Sequence, residues 1–437
     1  MKMQSLWNKT VEKKHFEPLQ RNRKTQVLII GGGLSGILCA YQLHLAGVDT
    51  LLIEANEIGQ GVTANTTAKV TVQHGLIYRK ITDTYGIQGA KQYYCANQKA
   101  LESYKNLAKQ FDFDFEEQEA YLYDTCSPVE LRKELAVYRA LGMDGFITRT
   151  TPLPFPISGA LGLKHQGQLH PLKLIYALAG QLNICEHTRL LSLTPNKAIT
   201  NGGEIAYQTA IVATHFPMFN QRGLYFMKLY QQRSYVLALK GANFGQGMFL
   251  DARENGLSFR HYKDYLLLGG GGHRTGKQGG GYKELEQFAA AHFPNCQIAF
   301  RYATQDCMSL DGIPYIGAYS PNIPHLLVAT GFNKWGFTNA MAASEILRDT
   351  IIGKPNENGG IFAPNRSMLH KQLLCNGVES AVHLLSLKTP RCSHLGCALQ
   401  YNKQEHSWDC PCHGSRFDHK GNLLNNPAKK GIKIHKK

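Results

Sequence analysis

A chain of 437 residues, 43% hydrophobic and 18% charged, has ample apolar material for two or three packed domains, which excludes disordered and fibrous classes. Its net charge of +16 is uneven: residues 1–26 hold seven Lys/Arg against two Asp/Glu and residues 388–437 ten against three, so the middle is nearly neutral. No run is apolar and long enough for an integral membrane segment, and the basic residues are not interleaved with stacking aromatics, so no nucleic-acid partner is expected.

Residues 1–25 read as a basic, solvated N-terminal tail without the apolar core of a secretory signal, which gives a cytoplasmic expectation. A β-branched, apolar run at 27–30 predicts a buried strand. Gly31, Gly33 and Gly36 follow as G-x-G-x-x-G, an apolar helix pattern runs through Leu45, and a second strand ends at Glu54, eighteen residues after Gly36. In that setting the first glycine permits a sharp turn, the second a close approach to a pyrophosphate and the third helix-on-strand packing, while the acid accepts ribose hydroxyls.

From about residue 78 to 310 amphipathic helices mix with short strands, the pattern of a substrate subdomain inserted in the first fold. No second strand-GxGxxG-helix unit appears, so a single dinucleotide is expected. A strand at 210–214 ending in a small-residue turn at Thr214, the stretch 309–317 around Asp311, and the strand, glycine turn and helix of 326–347 with Gly331 and Gly336 agree with that dinucleotide being FAD.

With GGGLSG, Glu54, ATHFP and DGIPYIG in this order, residues 26–352 resemble the FAD-dependent D-amino-acid oxidase and glycine oxidase superfamily. The resemblance implies that residues 59–75 cross the pyrophosphate, with Thr66, Thr67 and Lys69 near the isoalloxazine. Arg260, at the end of a strand pattern, is the candidate for holding a substrate carboxylate; His74 and Lys334 are further catalytic candidates.

After a Gly, Pro and Asn-rich linker at 353–370, residues 371–437 read as turns and short strands. Here Cys392-x-His394 and Cys410-x-x-His413 stand fifteen residues apart, a donor set that suits tetrahedral zinc or a binuclear iron centre. The strings CSHLGC and CPCHGSRF resemble the Rieske 2Fe-2S domain, which implies Cys392 and Cys410 on one iron and His394 and His413 on the other. The resemblance also implies a disulfide between Cys397 and Cys412. Phe417 replaces a tyrosine of the cytochrome bc-type branch, which predicts a lower potential than that branch has.

The fold expected is an α/β FAD-binding Rossmann-type domain with an inserted mixed α+β substrate subdomain, plus a small all-β Rieske domain. The function expected is oxidation of a small amine or amino acid, with electrons passing through the cluster to an acidic electron-acceptor protein. A flavin and iron-sulfur reductase component and a non-enzymatic redox or metal-binding module are the alternatives.

Overall fold

Val27–Ile30 and Thr50–Ile53 are runs of leucine and β-branched side chains buried at every position, as strands covered on both faces must be. In the computed structural model, which describes residues 4–219, 223–254, 256–386 and 390–434, they lie at the centre of a six-stranded sheet. Its order is Tyr315–Ala318, Leu326–Thr330, Thr209–Val212, Val27–Ile30, Thr50–Ile53, Ile184–Cys185. All neighbours are parallel except the first pair. The helices Leu34–Leu45 and Gly336–Ile351, buried along most of their length, cover this sheet.

Between visits to that sheet the chain builds a second one, of nine strands. Leu229–Lys240 pairs with Gln297–Ser309 on one side and Tyr265–Arg274 on the other, and Ser258–Tyr262, Met248–Asp251, Glu116–Asp124, Gly159–Gln168 and Lys69–Val70 follow outward. Gly145–Thr148 also pairs with Gly159–Gln168. Ile77–Ala108, a 32-residue helix, turns at Gly86, whose φ of 73° interrupts helical geometry. The mixed α+β insertion therefore has the expected character. No helix among the described residues is long and apolar enough to cross a membrane.

Three expectations need correction. The N-terminal segment is not a solvated tail: Leu6 and Trp7 are fully buried, Trp7 Nε1 donates to Thr66 O at 2.7 Å, and Arg23–Lys24 adds a parallel strand to Gly203–Ala206. A basic composition concealed one buried aromatic, which is enough to fix a segment. The C-terminal region is not all turns and strands, because Lys371–Leu385 is an amphipathic helix ahead of the sheet. That helix leaves Leu374, Val378, Val382 and Leu385 exposed along one stripe. The linker is anchored by buried Ile361, Phe362 and Arg366. Beyond it, Gln400–Asn402, Ser407–Asp409, Arg416–Asp418 and Leu423–Asn425 form an antiparallel four-stranded meander.

Candidate functional site

The glycine turn is sterically obligatory. A Cβ at Gly36 would meet Gly31 O at 1.8 Å, and one at Gly31, where φ is 111°, would meet Ala213 O at 2.6 Å. Gly33 caps the helix Leu34–Leu45, Thr63 Oγ1 accepts from Leu34 N at 3.1 Å, and Ser35 Oγ is buried without a partner. Glu54 locks the turn, accepting from Gly32 N at 2.7 Å and Asn56 N at 2.8 Å. These groups open on a cavity of about 1170 Å³. A glycine-walled turn, a helix N-terminus and an orphaned hydroxyl fit the pyrophosphate of a dinucleotide.

Gly31, Gly33, Glu54, Thr66, Thr67, Lys69, His74, Thr214, Lys334 and Gly336 all line this one cavity. Asp311 and Gly331 do not. Asp311 accepts from Arg366 Nε at 2.6 Å and Nη2 at 2.9 Å and from Tyr85 Oη at 2.8 Å, so it fastens the 309–313 turn. Burial opposes its ionisation, yet the Arg366 guanidinium holds the carboxyl at about 2. Gly331 serves the turn itself, with φ of 73°.

The expectation for Arg260 also needs correction. It is fully buried outside the cavity lining, donates through Nη1 to Ala68 O at 2.6 Å, and lies over the Trp7 ring at 5.4 Å. A strand-end arginine looked available for a carboxylate; the N-terminal segment, distant in sequence, covers it. His74 does line the cavity, but its ring is committed. Nε2 lies 2.7 Å from Thr71 O, an acceptor only, so Nε2 carries the proton and Nδ1 accepts from Tyr93 Oη at 2.7 Å. Burial pushes its pKa down to about 3, and Trp335 stacks on it at 4.8 Å. Lys69 Nζ donates to Phe249 O at 2.8 Å, and burial, aided by Arg260, brings it down to about 7. Lys334 is exposed in the wall, with φ of 71° after Asn333 at 52°. Two consecutive left-handed non-glycine residues mark a strained turn.

In the C-terminal region Cys392, Cys397, Cys410 and Cys412 are buried together with Phe417. None of the eleven cysteines is disulfide-bonded in this structure, the expected Cys397–Cys412 pair included, and the Sγ atoms of Cys397, Cys410 and Cys412 lie within 4.8 Å of one another. His394 and His413 meet edge to face at 5.0 Å between ring centroids. Both nitrogens of His394 and Nδ1 of His413 are buried without a hydrogen-bond partner. Burial pushes the two imidazoles down, to about 4 and about 3, so both are neutral donors as a metal requires. Orphaned imidazoles beside clustered thiols fit a mixed-ligand iron centre.

The cluster loops face the cavity domain. Phe216 lies against His394 at 6.5 Å and Phe226 against His413 at 6.1 Å. Gln231 Nε2 donates to His413 O at 2.9 Å, Arg274 Nε to Pro411 O at 3.1 Å, and Asn426 Nδ2 to Thr214 O at 2.8 Å. Glu405 receives Arg233 and Arg416 together; burial opposes its ionisation, but the two guanidiniums hold its carboxyl below the usual range. Residues 423–429 thereby become a wall of the cavity. Sequence reading missed this interface, because Arg233 and Glu405 are 172 positions apart and neither carries a local signal. It also missed His215, half-buried in the cavity wall with a buried, unpartnered Nε2 and φ of 64°, and Asp306. Strand alternation with Thr304 and Met308 was the available signal for Asp306.

The chain matches the family described as FAD dependent oxidoreductase over residues 26–350 and the Rieske 2Fe-2S domain over residues 374–436. It is 32% identical to YhfW of Bacillus subtilis (strain 168), named as a Rieske 2Fe-2S iron-sulfur protein, over 98% of this chain and 97% of that one. Glycine oxidase from Geobacillus kaustophilus superposes with a TM-score of 0.67 at 16% identity, covering 79% of this chain and 100% of that one. L-proline dehydrogenase from P. horikoshii gives 0.67 at 17% identity, covering 79% and 98%. The glycine turn and the Cys/His loops thus sit within matched regions, and the chain belongs to the FAD dependent oxidoreductase family, carries a C-terminal Rieske domain, and has FAD and a 2Fe-2S cluster as its cofactors.

Proposed function

We propose that this enzyme oxidises a small amine or amino acid and passes the electrons, through its Rieske domain, to an acidic electron-acceptor protein. The observation that carries the reading is the shared wall: residues 423–429 of the Rieske domain line the same cavity as the glycine turn. FAD accepts an electron pair and a 2Fe-2S cluster single electrons, so a chain holding both converts a two-electron oxidation into one-electron deliveries.

In this reading the Gly31–Gly36 turn and the helix N-terminus hold the pyrophosphate, Glu54 the ribose, and Thr66, Thr67 and Lys69 flank the ring. His74 keeps Trp335 in place rather than acting as a base, since neither of its nitrogens is free. Cys392, Cys410, His394 and His413 hold the cluster. The substrate gives up two electrons and two protons as its C–N bond becomes C=N, and water then cleaves that product to a carbonyl compound and an amine. Carbon–nitrogen substrates agree with the names of the glycine oxidase and L-proline dehydrogenase that share the fold.

For the acceptor, exposed Lys429 and Lys430 border the ligand loop: Ser393 Oγ donates to Lys430 O at 2.6 Å. Cations beside a cluster loop favour an acidic partner. Anaerobic mixing of the holoenzyme with a panel of small amines and amino acids tests the reading. At least one compound is expected to bleach the flavin absorption and yield a carbonyl product; bleaching by NAD(P)H alone, with no response to any amine or amino acid, would contradict it.

A further inference from the structure

Strand alternation decides which side chains of the nine-stranded sheet face the cavity. On its two adjacent long strands the side chains sharing that face include Tyr230, Gln232, Ser234, Thr304, Asp306 and Met308. Asp306 carries the one formal charge in that set. It is buried, pairs in register with Gln232, and has one side-chain hydrogen bond among the described residues, from Ser234 Oγ at 3.2 Å. It forms no ion pair there. Thr304 Oγ1, two positions away on the same face, is buried with no partner. Burial pushes the Asp306 carboxyl up and outweighs the opposing pull of the Lys334 charge, the Ser234 hydrogen bond and the Arg233 charge.

The sheet's arginines are engaged or sealed away from the cavity. Arg233 binds Glu405, Arg274 binds Pro411 O, Arg301 binds Glu286, and Arg260, although its Nε and Nη2 have no partner, is sealed under Trp7 outside the cavity lining; Arg253, which lines the cavity, is paired with Asp251. An α-carboxylate calls for a fork of N–H donors, and an ammonium for a carboxylate with a neighbouring acceptor. This wall offers the second arrangement. Tyr230 and Met308 supply a polarisable surround that favours a cation.

We infer that the substrate is a cationic amine without an α-carboxylate, and that Asp306, with Thr304 beside it, anchors its ammonium group. The inference rests on the amine-oxidation reading above and narrows its substrate class. Lys334 is one of several exposed cations lining the cavity, with Lys80, Arg189, Arg253 and Lys429, and its charge acts on Asp306, so a carboxylate held by Lys334 is the competing outcome.

The test uses holoenzyme under anaerobic conditions with matched pairs differing in the carboxylate: N-methylethylamine and sarcosine, pyrrolidine and proline, benzylamine and phenylglycine. Flavin spectral shift on binding and flavin bleaching are both recorded. The amine of at least one pair should act at a concentration at least about tenfold lower than its carboxylate partner. Asp306→Asn should weaken that amine by at least about tenfold at unchanged FAD content, Asp306→Glu should recover part of it, and Thr304→Val should cost a few-fold. Preference for the carboxylate members, or an FAD-loaded Asp306→Asn that binds the amine like wild type, overturns the inference while leaving amine oxidation standing. If no compound of either kind shifts or bleaches the flavin, the amine-oxidation reading fails and this inference with it. If Asp306→Asn does not fold, the pair preference and Thr304→Val decide the question.

Discussion

Single residues in this protein are legible where the chemistry is local. The glycines at 31, 33 and 36 and the Cys/His pairs at 392, 394, 410 and 413 announce themselves by spacing, because a turn or a ligand loop is built from neighbours in the chain. Charged residues are the opposite case. Asp311 sits in a motif that suggested the cofactor, but its partner is Arg366, in a segment that composition assigned to a linker. The pair is buried, with side chains 3% and 7% exposed. Breaking a buried pair on one side costs roughly 3–5 kcal/mol, so Arg366→Ala is expected to lower the denaturation midpoint by that equivalent. The pair also sets a pH dependence. Asp311 is held at about 2 against 3.8 unperturbed, so its stabilisation is present above pH 4 and is lost as pH falls toward 2. Urea melts of wild type and Arg366→Ala across that window should converge at the acid end. A constant gap between the two curves would show that Asp311 carries no such linkage.

At the scale of elements, propensity and composition read well only for segments that meet their partners nearby. The strands Val27–Ile30 and Thr50–Ile53 announce their double burial by unbroken apolar character. The segment before residue 26 is basic on average and fixed by one aromatic, so its composition and its packing point in opposite directions. Trp7 makes edge contacts with His170 at 5.0 Å and Tyr262 at 4.8 Å, and it covers the Arg260 guanidinium. Trp7→Ala should therefore cost roughly 3–5 kcal/mol, read as a lower thermal midpoint. It should also expose the segment to proteolysis near residue 15. A variant as stable and as resistant as wild type would restore the solvated tail. The helix Lys371–Leu385 escaped notice because the Cys/His loops beside it drew the whole region toward turns and strands.

The molecule as a whole joins two redox units by a polar interface rather than by a tether. Buried Glu405 is shared by Arg233 from the nine-stranded sheet and Arg416 from the Rieske sheet, and Asn426 bridges to Thr214 O and to Phe216 O at 3.1 Å. None of this is visible in either motif alone, since an interface depends on how two separately encoded surfaces meet. Two consequences follow for function: the cluster loops are held against the cavity domain, and the cavity is complete only with residues 423–429 in place.

The central claim, that electrons taken from substrate reach the cluster within the same chain, is tested most directly by EPR of the intact holoenzyme frozen at intervals after anaerobic addition of a bleaching amine. The signal of a reduced 2Fe-2S cluster should grow as the flavin absorption falls, and in Glu405→Ala, loaded with both cofactors, it should grow more slowly. A cluster that stays oxidised in wild type while the flavin is fully bleached would contradict the account.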